Sequence, residues 1–117
     1  MDEPSAIAEA RADTERLVES LTRQWAAIVD ASELTTNDDE HDPEGATIAF
    51  ERAQVQAMLA QARADLADLD IAAERVRTGR YRVCEQCGGP IADERLTARP
   101  AARTCIVCAN RSGRVRR

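Results

Sequence analysis

From Ser5 to about Leu34, a mostly apolar series follows alternating steps of three and four: Ile7, Ala10, Thr14, Leu17, Leu21, Ile28 and Ala31. Gln24 breaks the series, and Trp25 beside it is placed to cover the seam from its flank. Neither Pro nor Gly interrupts this stretch, so the pattern predicts one continuous helix. A second series runs from about Ala46 to Arg77: Ile48, Arg52, Val55, Leu59, Ala62, Leu66, Leu69, Ala73 and Val76. Only Arg52 is out of character there. A sustained 3.5-residue spacing is the signature of a coiled coil. Between the two lies TTNDDEHDPEG, residues 35–45, whose turn formers, Pro43 and Gly45 predict a loop. Helices joined this way fold back as an antiparallel hairpin, each arm about 45 Å long at about 1.5 Å per residue. Thr78-Gly79 ends the second helix, Gly being free to take the left-handed conformation after the last turn.

The expected fold is mainly α. A long antiparallel helical hairpin occupies residues 1–78, with its tip loop at 35–45. A small C-terminal module occupies 79–117. Composition agrees: hydrophobic residues reach 44% of the 117, but aromatics only 3%, which fills a narrow helical seam better than a broad core. No apolar run reaches 18 residues, and the start MDEPSAIAEA lacks the basic and apolar regions of a signal peptide. A cytoplasmic protein without a membrane span is therefore expected.

Charge divides the chain more sharply than its net value of −5 suggests. Residues 1–51 hold fourteen Asp/Glu against three Arg, and residues 75–117 hold eleven Arg against three Asp/Glu. One end should repel nucleic acid. The other either attracts phosphate or an acidic protein face, or merely solubilises the module.

That module holds all four cysteines, as Cys84/Cys87 and Cys105/Cys108 with seventeen residues between the pairs. In a reducing compartment two C-x-x-C pairs predict metal rather than disulfides. Each turn presents two thiolates to one ion, and four soft ligands in a tetrahedron suit zinc. Gly88 and Gly89 permit a tight turn behind the first pair, the second pair opens a short terminal helix, and the interval between them suits a short hairpin or turn. With four cysteine ligands the coordination is closed, and the only histidine, His41, lies in the tip loop. One structural zinc ion and no catalytic role are expected.

The motifs C-E-x-C-G at 84–88, Ile91, R-L-x-A-R-P-x-A from Arg95 to Ala102, and C-I-x-C at 105–108 resemble the DksA/TraR family of zinc-finger transcription regulators. The likeness is specific over residues 81–109, a match of helix pattern over 42–77, and architectural over 1–34. It implies a regulator that binds RNA polymerase directly, inserts the hairpin into the secondary channel and acts through acidic residues at the tip. Here those acids are Asp38, Asp39, Glu40, Asp42 and Glu44. The best-studied members of that family carry D-x-x-D-x-A at the tip. Alignment from the cysteines places His41, Glu44 and Ala46 there, or, slid by one, Asp42, Gly45 and Thr47. Of the basic positions that hold the alarmone ppGpp in the family, Arg99 is retained, while Asp68 and Ala109 stand where lysines are expected.

The resulting expectation is a monomeric, non-enzymatic regulator of transcription. RNA polymerase is its partner, ppGpp binding is weakened, and neither a specific DNA site nor a membrane is involved. Arg95, Arg99 and Arg103 are candidate phosphate or partner contacts, with Arg75, Arg77, Arg80 and Arg82 at the hairpin base as a docking rim. The competing readings are a nucleic-acid-binding zinc module using the C-terminal arginines, a coiled-coil adaptor, and a redox-sensitive zinc switch.

Overall fold

Asp2 opens the first helix by accepting a hydrogen bond from the Ser5 N–H at 2.9 Å. This N-cap starts α1 at Glu3, two residues before the expected Ser5, with Pro4 tolerated in the first turn where no intrahelical donor is needed. The computed structural model describes residues 2–34 and 43–115. Four helices occupy them: α1 Glu3–Leu34, α2 Pro43–Arg77, α3 Asp93–Ala98 and α4 Ile106–Val115. No strand is present among the described residues beyond one isolated antiparallel bridge, Val83 with Pro90. None of these helices is long and apolar enough to cross a membrane.

The chain forms two compact units, each drawing a stretch from both long helices. One comprises residues 13–64. Its core is Leu21, Val55, Leu59 and Ala62, with Val18, Trp25 and Ile28 packed against it. Here the expected seam needs correcting. Leu17 is 46% exposed, and Val18 takes its place. The stripe Thr14, Val18, Leu21, Trp25 and Ile28 keeps unbroken four–three steps, so Gln24 is simply outside it and Trp25 is a full member. Burying the large indole outweighs burying Leu17 and sets the phase of the helix. Arg52, the polar exception on α2, lies with its guanidinium carbon 5.5 Å from the centre of the Trp25 ring. A cation over an indole face is attractive, so this exposed arginine covers the flank of the seam at Trp25.

The other unit combines the residues up to Ala12 with those from Asp65 onward. Ile7, Leu69, Ala72, Tyr81, Cys84, Ile91, Leu96 and Cys108 form one cluster. Ala72, 1% exposed, replaces the expected Ala73. The end of α2 packs against the C-terminal module as well as α1, and Ala72 is the position buried between them. Arg11 pairs with Asp70 at 2.7 Å. In this unit the start of α1, at Ile7 and Ala10, meets the end of α2, at Leu69, Ala72 and Val76, as an antiparallel pairing requires.

Two further boundaries differ from expectation. The second helix begins at Pro43 rather than Ala46, because Pro is pre-organised for a first helical turn where its missing N–H costs nothing. The interval between the cysteine pairs contains α3, which buries Leu96. At the far end of α2, Gly79 has φ +75°. The Gly79 N–H donates to the Val76 carbonyl at 3.2 Å and the Arg80 N–H to the Arg75 carbonyl at 2.8 Å. This is a Schellman arrangement, with Gly79 in the left-handed conformation expected of it.

Candidate metal centre

Each cysteine pair is shaped by its own backbone. The Cys84 N–H donates to the Gly89 carbonyl at 2.8 Å and the Gly88 N–H to the Cys84 carbonyl at 3.0 Å, closing a tight turn with Gly88 at φ +74°. The Gly89 N–H points at the Cys87 sulfur, 3.4 Å away. A Cβ on Gly89 would lie 3.3 Å from that sulfur, so the bare backbone lets the thiolate approach. Cys105 precedes α4, and the Ala109 N–H donates to its carbonyl at 2.9 Å as the first helical bond. The Cys108 N–H, in the first turn, serves the Cys105 sulfur, since N–H groups at a helix start favour negative sulfur.

All four sulfurs lie within 4.8 Å of one another. The Cys87 and Cys105 sulfurs are 3.8 Å apart. A zinc–sulfur bond of about 2.3 Å in a tetrahedron gives sulfur–sulfur edges of about 3.8 Å, so the set fits one zinc ion. Cys84 and Cys108 are buried, Cys105 is half-buried and Cys87 exposed. A backbone N–H from Cys87 draws the Cys84 thiol down to about 6. The Cys108 N–H similarly lowers Cys105. Cys108, hydrogen-bonded to the Cys105 sulfur, is pushed up to about 12. The backbone thus stabilises thiolate at two positions, while crowding keeps a proton on another. A dication held by Cys84, Cys87, Cys105 and Cys108 would relieve that crowding, and its role with four sulfur ligands would be structural.

Residues 79–112 match the model of the prokaryotic DksA/TraR C4-type zinc finger. The chain carries a DksA/TraR zinc finger. The likeness extends beyond it: the solved structure of transcription factor DksA2 from Pseudomonas aeruginosa matches with a TM-score of 0.76 at 25% identity, over 98% of this chain and 84% of that one. An uncharacterized protein of Aquifex aeolicus (strain VF5) is 44% identical over 46 residues. That alignment takes in 39% of this chain and 32% of the relative, so the chain spans about a third of the curated relative it matches.

Around the DksA/TraR finger, most of the expected basic contacts have internal partners. The Arg95 Nε–H donates to the Thr104 carbonyl at 2.8 Å, tying α3 to the second cysteine pair. Arg103 lies 3.8 Å from Glu85, whose N–H donates to the Arg103 carbonyl at 2.9 Å. Arg82 pairs with Asp93 and, at 2.6 Å, with Glu3. Arg77 pairs with Glu74, an exposed contact of little energetic weight. Arg99 is exposed at the C-cap of α3 and has no ion-pair partner among the described residues. Arg95 and Arg99 border a groove of about 610 Å³ that also touches Cys105, Ile106 and Val107. Asp68 is half-buried on α2 and Ala109 half-buried on α4. Of the acidic tip, Asp38, Asp39, Glu40 and Asp42, with His41, lie outside the described residues. Glu44 is in the first turn of α2, its side chain likewise outside the description.

Two contributors had no signal in the sequence. The buried Tyr81 donates its hydroxyl proton to the Pro100 carbonyl at 2.8 Å, and burial pushes its pKa up. Arg75, assigned above to a docking rim, is nearly enclosed and bonds to backbone beside the first cysteine pair. Their acceptors are main-chain carbonyls, which look alike in any sequence.

Proposed function

We propose that this chain is a cytoplasmic, non-enzymatic transcription regulator that binds RNA polymerase as a monomer. The zinc finger and the adjoining helix ends dock on the enzyme, and the acidic tip of the hairpin enters the secondary channel. The observation that carries this reading is the DksA2-like fold over nearly the whole chain, which joins the zinc finger to a helical hairpin. The concentration of acids between Asp38 and Glu44 supports a tip that engages Arg, Lys or a metal ion inside the enzyme. The internal bonds of Arg82, Arg95 and Arg103 argue against a finger built to grip nucleic-acid phosphates. Transcription in vitro tests the proposal. Adding the zinc-loaded protein should change the lifetime of initiation complexes at least several-fold on some promoters. An unchanged lifetime on every promoter tried would count against it.

The same reading predicts little response to ppGpp at the family's shared site. Asp68 places negative charge where a lysine would hold a polyanion, and in a site shielded from water that reversal costs a few kcal/mol, on the order of 2–5. Labelled ppGpp titrated onto polymerase should bind about equally with and without the protein. Strong additional binding that vanishes in Arg99→Ala would refute this.

A further inference from the structure

Arg75 occupies an unusual position for an arginine near the end of a surface helix. Its side chain is only 13% exposed. The guanidinium donates through Nη2 to the Arg80 carbonyl at 2.9 Å and to the Val83 carbonyl. Its Nη1 faces Glu85, 3.9 Å away, inside the first cysteine turn. Its Nε is buried without a hydrogen-bond partner among the described residues. Burying this charge is costly, and the two carbonyl bonds with one distant carboxylate offset it only in part. A solubilising arginine would keep its head in water.

The carbonyls it grips explain the placement. Arg80 and Val83 bound the short link between the Schellman cap of α2 and Cys84, and the Val83 N–H already donates to the Arg80 carbonyl at 3.1 Å. The Arg75 carbonyl accepts from the Arg80 N–H at 2.8 Å, so one residue holds the link through both its main chain and its side chain. Glu85 extends the chain of charges to Arg103, two residues before Cys105. The arrangement connects the end of α2 to the first cysteine pair and, through Glu85, to the approach of the second.

We infer that Arg75 is a positioning residue for the metal centre, acting through the 80–83 backbone, and that it couples metal occupancy to the order of the α2 C-terminus. The fork of N–H donors sets the link from which Cys84 is presented, and a buried cation in the same unit favours a four-thiolate zinc centre of net charge −2. Coupling of this kind is reciprocal: whatever loosens the link weakens the metal, and loss of metal loosens the link. The planar fork can hold two carbonyls at once, which a lysine ammonium matches poorly.

The test uses the full-length zinc-loaded chain. Zinc transfer to excess 4-(2-pyridylazo)resorcinol should be about ten-fold or more faster in Arg75→Met, in line with outer partners of metal sites. Arg75→Lys should fall between it and the parent. Arg77→Met, which removes an exposed pair, should stay within about two-fold. In the cobalt-substituted protein, the thiolate absorption bands should alter in Arg75→Met and not in Arg77→Met. Hydrogen exchange on the parent supplies a second arm: removing zinc should speed exchange of the amides at 75–80 by about ten-fold or more, and leave those at 55–62 unchanged. Zinc release from Arg75→Met within two-fold of the parent would overturn the inference. Should that variant not fold, equal exchange at 75–80 in the loaded and metal-free parent would do the same.

Discussion

Stripping zinc from this protein should dismantle more than the finger. Structural zinc in small modules contributes on the order of 10–16 kcal/mol of folding free energy. The cysteine module shares a single core with the helix ends, since Ile7, Leu69 and Ala72 pack in the same cluster as Tyr81, Ile91 and Leu96. Cys105→Ser should abolish the one-ion stoichiometry seen by native mass spectrometry and expose that cluster. Without their packing partners, the terminal turns of α1 and α2 should fray, because helical stability derives mostly from a packed face. The unit formed by residues 13–64 has its own cluster around Leu21, Val55 and Leu59, and should keep its helical signal. Circular dichroism before and after chelation should therefore show a partial loss of helix. A metal-free protein with full ellipticity and a protected C-terminal region would contradict this.

The fold was largely readable from the chain because its dominant forces leave periodic traces. Nine positions of α2 in four–three steps predict a hairpin arm, and two C-x-x-C pairs with glycine behind the first predict a four-sulfur site. What was misread arises from forces that leave no period. The choice between Leu17 and Val18 rested on the bulk of Trp25, about two turns further along. Ala72 displaced Ala73 because the module packs on that end of the helix. Helix α3 spans six residues, shorter than any helix stable alone, and its N-cap Ala92 has no capping side chain. Arg75 read as a surface charge because its acceptors are main-chain carbonyls of Arg80 and Val83. At the metal centre the ligands were legible, whereas the brace beneath them was not.

Neutralising the tip should separate binding from action. In the proposed mode the finger and helix ends provide most of the contact with polymerase, and Asp42 and Glu44 act inside the channel. Asp42→Asn combined with Glu44→Gln keeps the side-chain volumes and removes both charges. Glu44 lies in the first turn of α2, where a carboxylate favours the helix by about 0.3–1 kcal/mol. The double variant should therefore lose no more than about 1 kcal/mol of stability. Its affinity for polymerase should remain within a few-fold of the parent, while its effect on transcription in vitro disappears. Asp38 and Asp39, nearer α1 in sequence, should matter less. If the double variant regulates like the parent, the acids serve only to solvate the turn, and action must reside at the arginine-rich end.

Direct binding to RNA polymerase tests the central claim most closely. The zinc-loaded protein, fluorescently labelled at its N-terminus, should bind purified core enzyme saturably and one to one, with a dissociation constant of about 1 µM or below. Chelation of its zinc should abolish that binding. Absence of binding by the loaded protein at concentrations well above this would contradict the account.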